Sequence, residues 1–462
     1  MKSLNYVINL TVIAALGGFL FGYDTAVISG TTQDVKAFYD LSDLQQGWYV
    51  GCAILGCIIG VLIAGRLSDA FGRKPVLMTA AVLFSVSSIG CAIYSGFDQL
   101  VIYRIIGGMG IGISSIIAPL YISEISIPKY RGRMVACYQL AITVGILASY
   151  LSNAAVLKWS HTVQYESGFM KLVINDQVWR GMLGMETIPA VLFLTVLFFI
   201  PESPRWQVVK HQESKALRTF GKIYSPDKAQ REIDDIRDVI NRETKSDWRL
   251  LLKPGFRIAV IVGVCLAMLG QFMGVNAVFY YGPKFLSEAG LEKTASLDFQ
   301  VWVGLVNVIS TILAMMVIDK IGRKKLIYIG VSGMIIFLTG IGMFFFSVAA
   351  GQTVSIYVLF SLILAYVFSS AISICAVIFV LLSEMYPVKI RGLAMSVAGF
   401  SLWVGTFLIG QLTPWLTGKL SAAGVFWLFG VMCIPYMLIT YFLVPETTGK
   451  SLEDIERGWN RA

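Results

Sequence analysis

The stretch GRLSDAFGRKP, from Gly65 to Pro75, joins two long apolar runs, and a close copy, VIDKIGRKKL, lies at Val317 to Leu326. Both copies contain the pattern Asp-x-x-Gly-Arg, about 250 positions apart. Two more markers repeat in the same order: a glutamate with Arg-Gly beginning seven residues later, and an apolar run that ends at Pro-Glu. This ordered repeat predicts two halves of the same polarity, an arrangement known from membrane proteins built of parallel repeats.

The composition indicates that both halves lie in a membrane. The chain has 462 residues, of which 56% are hydrophobic and 14% charged, and its mean hydropathy is +0.72. Soluble domains carry about 25% charged residues, so a single soluble core is excluded and a polytopic membrane protein is predicted. The first apolar run, 7–28, is long enough to span and has no small-residue cleavage pattern. It is therefore interpreted as a membrane helix and not as a signal peptide.

A membrane helix needs about 20 mostly apolar residues. By this criterion the sequence predicts twelve spans, near 7–28, 46–65, 76–96, 99–122, 134–156, 180–200, 257–283, 300–318, 326–348, 354–382, 392–413 and 424–444. We therefore predict an all-α membrane protein with two pseudo-symmetric six-helix bundles. The polar stretch between the bundles has charges of alternating sign and apolar residues at helical spacing, which predicts a small cytoplasmic segment of amphipathic helices. The predicted domains are an N-terminal bundle, a linker, a C-terminal bundle and a cytoplasmic tail, at 1–200, 201–255, 256–445 and 446–462.

The charges predict the orientation of the chain. The net charge is +9, and most basic residues lie in short loops on one side of the spans, as they do in cytoplasmic loops. Both termini are therefore expected in the cytosol, and no nucleic-acid partner is expected. The seven cysteines lie in apolar runs without a CxxC pair, and the chain has two histidines. No metal, cofactor or disulfide is expected, and no Ser/His/Asp arrangement indicates an enzyme.

Five motifs resemble those of the sugar porter family of the major facilitator superfamily: GRLSDAFGRKP, PESPRW, QFMGVNAVFYY, DKIGRKK and PETTGKSLE. GYDTAVISG and RIIGGMGIG resemble its bacterial xylose–proton symporters in particular. The resemblance covers nearly the whole chain. It implies the major facilitator fold and a secondary active transporter that imports a monosaccharide (pentose or hexose) or a polyol by proton symport through alternating access. It also implies a bacterial inner-membrane protein that works as a monomer in the lipid bilayer.

Three other functions stay open at this point. A proton-independent sugar uniporter is disfavoured by a carboxylate in the first span, Asp24. A non-transporting sugar receptor is expected to carry a long cytosolic extension, for which the residues up to Ala462 leave no room. A drug antiporter is disfavoured by the sugar-type motifs.

Charged residues inside spans are costly and usually functional. Asp24 lies in the first span, Arg104 near the outer start of the fourth, and Glu186 in the sixth. The resemblance implies that Asp24 carries the coupled proton and that protonation releases it from Arg104, while Glu186 is expected to tune Asp24. The alternative is a static structural Asp24–Arg104 pair.

Sugar binding requires amide or hydroxyl groups for hydrogen bonds and aromatic rings for the apolar sugar faces. The resemblance implies the following substrate-binding residues: Phe21, Gln139, Gln271, Asn276, Tyr280, Tyr281, Asn307, Phe379 and Trp403. The sequence departs from the family pattern at several places. Leu402 and Ile146 occupy positions that are often polar in the family. Gly270 replaces a glutamine, Phe379 replaces a tryptophan, and the tenth span has no proline. A smaller or less hydroxylated substrate and the loss of a proline kink are therefore expected.

Arginine and carboxylate side chains at the cytoplasmic helix ends can pair across neighbouring helices. The repeated carboxylates favour such a network over plain topology charge, because the positive-inside rule needs only Lys and Arg. The resemblance implies a cytoplasmic gate made of Arg66, Asp69, Arg73, Glu124, Arg131, Arg133, Glu202, Asp319, Arg323, Glu384, Arg391 and Glu446.

Overall fold

The computed structural model describes residues 2–94, 96–242, 249, 251, 253, 256–386 and 390–444. All regular secondary structure in these ranges is helical. Eleven segments there are long and apolar enough to cross a membrane. The last, Arg391–Phe442, has non-helical backbone at Ser421 (φ 61°), where two spans meet. The described chain thus has the predicted twelve spans.

The helices are bounded as follows: α1 Lys2–Tyr39, α2 Asp43–Phe71, α3 Arg73–Ile93, α4 Phe97–Ile125, α5 Arg131–Thr162, α6 Gly168–Met170, α7 Val178–Gly184, α8 Thr187–Leu197, α9 Pro204–Val209, α10 Glu213–Phe220, α11 Pro226–Arg242, α12 Phe256–Phe272, α13 Val275–Glu288, α14 Lys293–Ile321, α15 Arg323–Ala349, α16 Ile356–Ser370, α17 Ala376–Met385 and α18 Arg391–Phe442. A 3₁₀ turn precedes α5, at Pro128–Tyr130. Two π-helical turns lie at Lys171–Asp176 and Ala371–Cys375.

The chain divides into two compact units. One consists of residues 1–31 and 52–245, and the other of residues 32–51 and 246–462. The end of α1 and the start of α2 thus belong to the second unit, where Gln411 Nε2 of α18 donates to the Leu44 carbonyl over 2.9 Å. The domain boundaries from the sequence remain a prediction.

Glycines bring α2 and α4 into close contact inside the first unit. A Cβ at Gly108 would overlap the carbonyl oxygen of Ala53, and one at Gly112 would overlap that of Cys57. The fit is reciprocal, because a Cβ at Gly56 would overlap the carbonyl of Ile105. The glycine-rich stretch of α4 therefore packs backbone against backbone, as small residues do in membrane helix pairs.

Three spans are distorted or interrupted near polar side chains. The sixth is distorted between α7 and α8, where the N–H groups of Glu186 and Ile188 donate to carbonyls three residues back although the backbone keeps helical dihedrals. The seventh breaks at Gly274, which has a left-handed backbone (φ 86°) that glycine adopts without strain. The tenth has a π-helical turn between α16 and α17. The sequence predicts that this span lacks a kink because it has no proline, but a π-helical turn distorts it instead. Such turns often lie at functional sites.

The polar stretch between the halves is helical, as predicted. Helices α9, α10 and α11 enclose a small apolar cluster of Val208, Ala216, Phe220, Ala229 and Ile233. Helices α10 and α11 are amphipathic, and α9 and α10 are too short to be stable alone, so packing on this shared cluster stabilises the segment.

Candidate functional site

The first unit contains a buried ion pair inside its spans. Arg104 Nη1 of α4 donates to Asp24 Oδ1 of α1, and the two side chains are 4% and 2% exposed. Asp24 Oδ2 has no hydrogen-bond partner among the described residues. The sequence predicted this pair, and half of the carboxylate is left unsatisfied.

Glu186 lies between α7 and α8 and is buried. It interacts electrostatically with both Asp24 and Arg104. Its Oε1 also has no hydrogen-bond partner within the described ranges. Arg104 is thus paired with Asp24, and a second buried carboxyl group, Glu186, lies within electrostatic range of the pair.

A second polar cluster lies where α2 ends and α3 begins. Arg73 binds Glu124 of α4 with both ends of its guanidinium, Nε to Oε2 and Nη2 to Oε1, each over 2.9 Å. Ser203 Oγ donates to the same Glu124 carboxylate over 2.5 Å. Glu202 accepts hydrogen bonds from the backbone N–H groups of Arg73 and Lys74 at the start of α3. Burial raises the pKa of the Glu202 carboxyl, and hydrogen bonds from backbone N–H groups oppose this shift.

The second unit repeats these contacts. Arg323 Nη2 donates to Glu384 Oε1 over 3.0 Å, as Arg73 does to Glu124. Lys324 Nζ donates to the Tyr441 carbonyl at the end of the twelfth span, as Lys74 Nζ does to Phe198 near the end of the sixth. The repeat found in the sequence is therefore also a repeat of ion pairs and helix-end contacts.

The other predicted gate residues form weaker contacts, form no ion pair among the described residues, or lie outside the described part of the chain. Asp69 contacts Arg73 at 3.4 Å, and Arg391 donates to the Tyr386 carbonyl. Three residues are exposed and form no ion pair among the described residues: Arg66, Arg131 and Arg133. Glu446 and the side chain of Asp319 lie outside the described part of the chain.

Two candidate sugar residues of the second unit, Gln271 and Asn276, meet at the break in the seventh span. Gln271 lies one residue before the end of α12 and Asn276 lies in the first turn of α13. Asn276 Nδ2 donates to Gln271 Oε1 over 2.8 Å. Thr406 of α18 donates to the same oxygen over 3.0 Å. The sequence predicted the two amides but not Thr406, because a lone threonine in an apolar span carries no distinguishing signal.

The aromatic candidates take different positions. Tyr281 is buried and its hydroxyl donates to the Gly410 carbonyl over 2.6 Å, while Tyr280 is buried beside it on α13. Trp403 is half-buried one turn before Thr406 on α18. Phe379 of α17 is 49% exposed.

The remaining candidates lie on α14 in the second unit and on α1 and α5 in the first. Asn307 is buried and forms no hydrogen bond with the Gln271 cluster in the described part of the chain. Phe21 and Gln139 are half-buried on α1 and α5, two helices that pack closely because Gly22 faces the Ile142 carbonyl. Gly270 faces Ile374 of the π-helical turn, so apolar surface occupies the space beside it.

Two repeated halves, interrupted spans and buried charges within the spans define a secondary transporter of the major facilitator fold. Residues 10–459 match the family described as "Sugar (and other) transporter", and the chain belongs to this family.

Individual relatives and a solved structure agree with this assignment. The chain is 38% identical to the arabinose-proton symporter of Bacillus subtilis (strain 168), over 99% of this chain and 96% of that protein. It is 36% identical to the D-xylose-proton symporter of Escherichia coli (strain K12), over 98% and 96%. An inward open structure of the xylose transporter XylE from E. coli superposes with a TM-score of 0.84 and 34% identity, over 98% of this chain and 100% of that chain.

Proposed function

We propose that the protein imports a monosaccharide together with a proton by alternating access. The observation that carries this proposal is the buried Asp24–Arg104 pair with Glu186 beside it, in a chain whose relatives are named as sugar-proton symporters. A transporter that only equilibrates a neutral sugar has no need of an intramembrane carboxyl group, which is costly to keep.

Asp24 is the proposed proton carrier. When it is ionised, Arg104 holds it on α4. A proton placed on the carboxyl group removes the charge, weakens this contact and supplies a hydrogen to the unsatisfied oxygen. The contact between α1 and α4 is then weaker. Protonation therefore changes the energy difference between the inward and outward conformations, and such a change is required for coupling. Glu186 is proposed to adjust the proton affinity of Asp24.

The proposed substrate contacts are amide and aromatic groups. In the second unit, Gln271 and Asn276 supply hydrogen bonds and Trp403 a ring face. Tyr280 and Tyr281 are proposed to cover the sugar from outside, and Asn307 and Phe379 to line the pocket. Phe21 and Gln139 are proposed substrate-binding residues of the first unit. The proposed substrate is a pentose or a hexose. A smaller or less hydroxylated sugar is favoured, because Ile374 beside Gly270 and the ring of Phe379 reduce the number of polar partners.

A cytoplasmic gate and a location in the membrane are also proposed. The repeated Arg–Glu pairs, Arg73–Glu124 and Arg323–Glu384, are proposed to hold the cytoplasmic helix ends when that side is closed. Arg66, Asp69, Arg131, Arg133, Glu202, Asp319, Arg391 and Glu446 are proposed to take part. The protein is proposed to work as a monomer in a bacterial inner membrane with both termini in the cytosol.

The test is uptake by purified protein in liposomes. Labelled pentoses, hexoses and polyols are offered with and without an inward proton gradient to the wild type, to Asp24→Asn and to Asp98→Asn. Asp98 is an exposed carboxylate at the start of α4 and serves as the matched control. We expect gradient-driven accumulation of a sugar that Asp24→Asn loses and Asp98→Asn retains. Uphill accumulation by Asp24→Asn would contradict the role of Asp24, and gradient-independent equilibration by the wild type would make the protein a uniporter.

A further inference from the structure

We propose that Thr406 is a positioning residue that fixes the polarity of the Gln271 amide, so that Gln271 offers the sugar its N–H donors and not its carbonyl. This inference rests on the proposed function and adds to it the orientation of one substrate contact.

The geometry around Gln271 Oε1 carries the argument. Thr406 is buried, and its Oγ1 lies 3.0 Å from this oxygen. Asn276 Nδ2 lies 2.8 Å from the same oxygen. A carbonyl oxygen has two lone pairs, so two donors occupy its acceptor positions. The Thr406 hydroxyl also lies 2.9 Å from the Leu402 carbonyl, so its one hydrogen is shared between two acceptors.

The atoms of Gln271 and Asn276 that remain available for hydrogen bonds determine what the pair can offer a ligand. With Oε1 engaged, the Nε2 group of Gln271 keeps both hydrogens for other partners. Asn276 has used one hydrogen of its own amide, and its Oδ1 remains an acceptor. The pair therefore offers a donor from Gln271 beside an acceptor from Asn276, which matches sugar hydroxyl groups because each hydroxyl both accepts and donates.

A glycine allows this approach. Gly405 precedes Thr406, and a Cβ there would lie 3.2 Å from both Cβ and Cγ of Gln271 and 3.3 Å from the Met268 carbonyl. The backbone of α18 thus lies against α12 at the level of Gln271. Thr406 reaches the amide because the residue before it has no side chain to separate the two helices.

The first experiment measures binding of D-xylose, L-arabinose and D-glucose by calorimetry to the purified wild type, Thr406→Val, Thr406→Ser and Thr413→Val. Valine keeps the shape of threonine without the hydroxyl, and serine keeps the hydroxyl. Thr413 is a buried threonine of the same helix whose hydroxyl donates to the Ile409 carbonyl, four residues back, and it serves as the control. We expect Thr406→Val to raise the Kd about tenfold, the effect of roughly one hydrogen bond, while the other two variants stay near the wild type.

The second experiment tests whether Thr406 acts through Gln271. In a Gln271→Ala background, Thr406→Val should have no further effect on the Kd. Gln271→Glu should weaken binding as much as Gln271→Ala does, because a carboxylate can occupy the same place but offers no N–H to the sugar. Thermal unfolding of each variant checks that the fold is kept.

The outcomes separate this inference from the proposed function. If the wild type binds sugar but Thr406→Val is unchanged, or its effect persists in the Gln271→Ala background, Thr406 does not position Gln271. If Gln271→Glu binds as well as the wild type, the carbonyl and not the N–H faces the sugar, and the inferred polarity is wrong. If the wild type neither binds nor transports any sugar, the proposed function fails and this inference fails with it.

Discussion

Asp24 and Arg104 are almost completely removed from water, since their side chains are 2% and 4% exposed. A buried ion pair gives little net stability, because the cost of desolvating two charges offsets their attraction. Removal of one partner is far more costly than removal of both, because it leaves a single buried charge without compensation. Stabilisation of the fold therefore does not explain why the pair is present. Its position inside the spans indicates a function.

The cost of an unpaired buried charge predicts the relative stabilities of a single and a double variant. Arg104→Met should lower the free energy of unfolding by about 3–5 kcal/mol, because it leaves the Asp24 carboxylate buried among apolar groups. The double variant Asp24→Asn/Arg104→Met should recover much of this loss, since it buries no charge from the pair. The measurement is thermal unfolding in detergent, followed by tryptophan fluorescence. A double variant less stable than Arg104→Met would show that the pair mainly stabilises the fold.

At the residue scale, the sequence predicts the charged residues within the spans better than the uncharged polar residues. Charged residues are rare within spans, so Asp24, Arg104 and Glu186 are conspicuous in the sequence. Thr406 could not be predicted, because threonines in apolar helices usually bond the carbonyl four residues back and face no partner. Its contact with Gln271 depends on how α18 packs on α12, which hydropathy does not contain.

At the scale of helices, the sequence gives the number of spans but not their interruptions. The seventh span reads as one run, 257–283, because glycines are common in membrane helices and Gly274 alone does not predict an interruption. The structure divides it into α12 and α13, and the division places Gln271 and Asn276 within one hydrogen bond of each other. The π-helical turn in the tenth span likewise contains only apolar and small residues, and no proline marks it.

The contact between α2 and α4 allows a prediction at this scale. Gly108→Ala should destabilise the protein by about 1–3 kcal/mol, because the new methyl group would overlap the Ala53 carbonyl and push the two helices apart. Gly399→Ala is the matched control, since Gly399 lies within α18 and no other described element comes within 4 Å of the added Cβ. The control should be neutral or stabilise by up to about 1 kcal/mol, because alanine is the better helix former.

Thermal unfolding of both variants in the same detergent checks this prediction. Equal unfolding temperatures for Gly108→Ala and Gly399→Ala would contradict it, and would mean that α2 and α4 can separate slightly without cost. Uptake measured in parallel separates loss of stability from loss of transport.

At the scale of the whole chain, the repeated sequence predicts two halves, and the structure contains two compact units. Residues 32–51 follow the first 31 residues without a break in α1, yet they belong to the second unit. Lys293 of α14 binds Asp34 at 2.5 Å, and Trp48 packs edge-on against Phe407 of α18. These contacts could not be predicted from the sequence, because each joins residues more than 200 positions apart.

In a transporter that alternates between two conformations, contacts at helix ends must form and break in each cycle. The Asp34–Lys293 pair suits this requirement, because its side chains are 26% and 35% exposed and a partly solvated pair contributes at most about 1 kcal/mol. We predict that Asp34→Asn loosens residues 32–51 and speeds amide hydrogen exchange there by about two- to fivefold. The swap Asp34→Lys/Lys293→Asp should restore slow exchange, because it rebuilds the pair with reversed charges.

Asp40→Asn is the control for this measurement. Asp40 lies in the same segment, is exposed, and has a left-handed backbone (φ 49°) that asparagine tolerates. Its exchange should match the wild type, because the substitution removes a charge without removing the Lys293 contact. If Asp40→Asn speeds exchange as much as Asp34→Asn does, the segment responds to its total charge. If neither variant changes it, apolar packing such as Trp48 on Phe407 holds the segment, and the ion pair would then be free to break at almost no cost in each transport cycle.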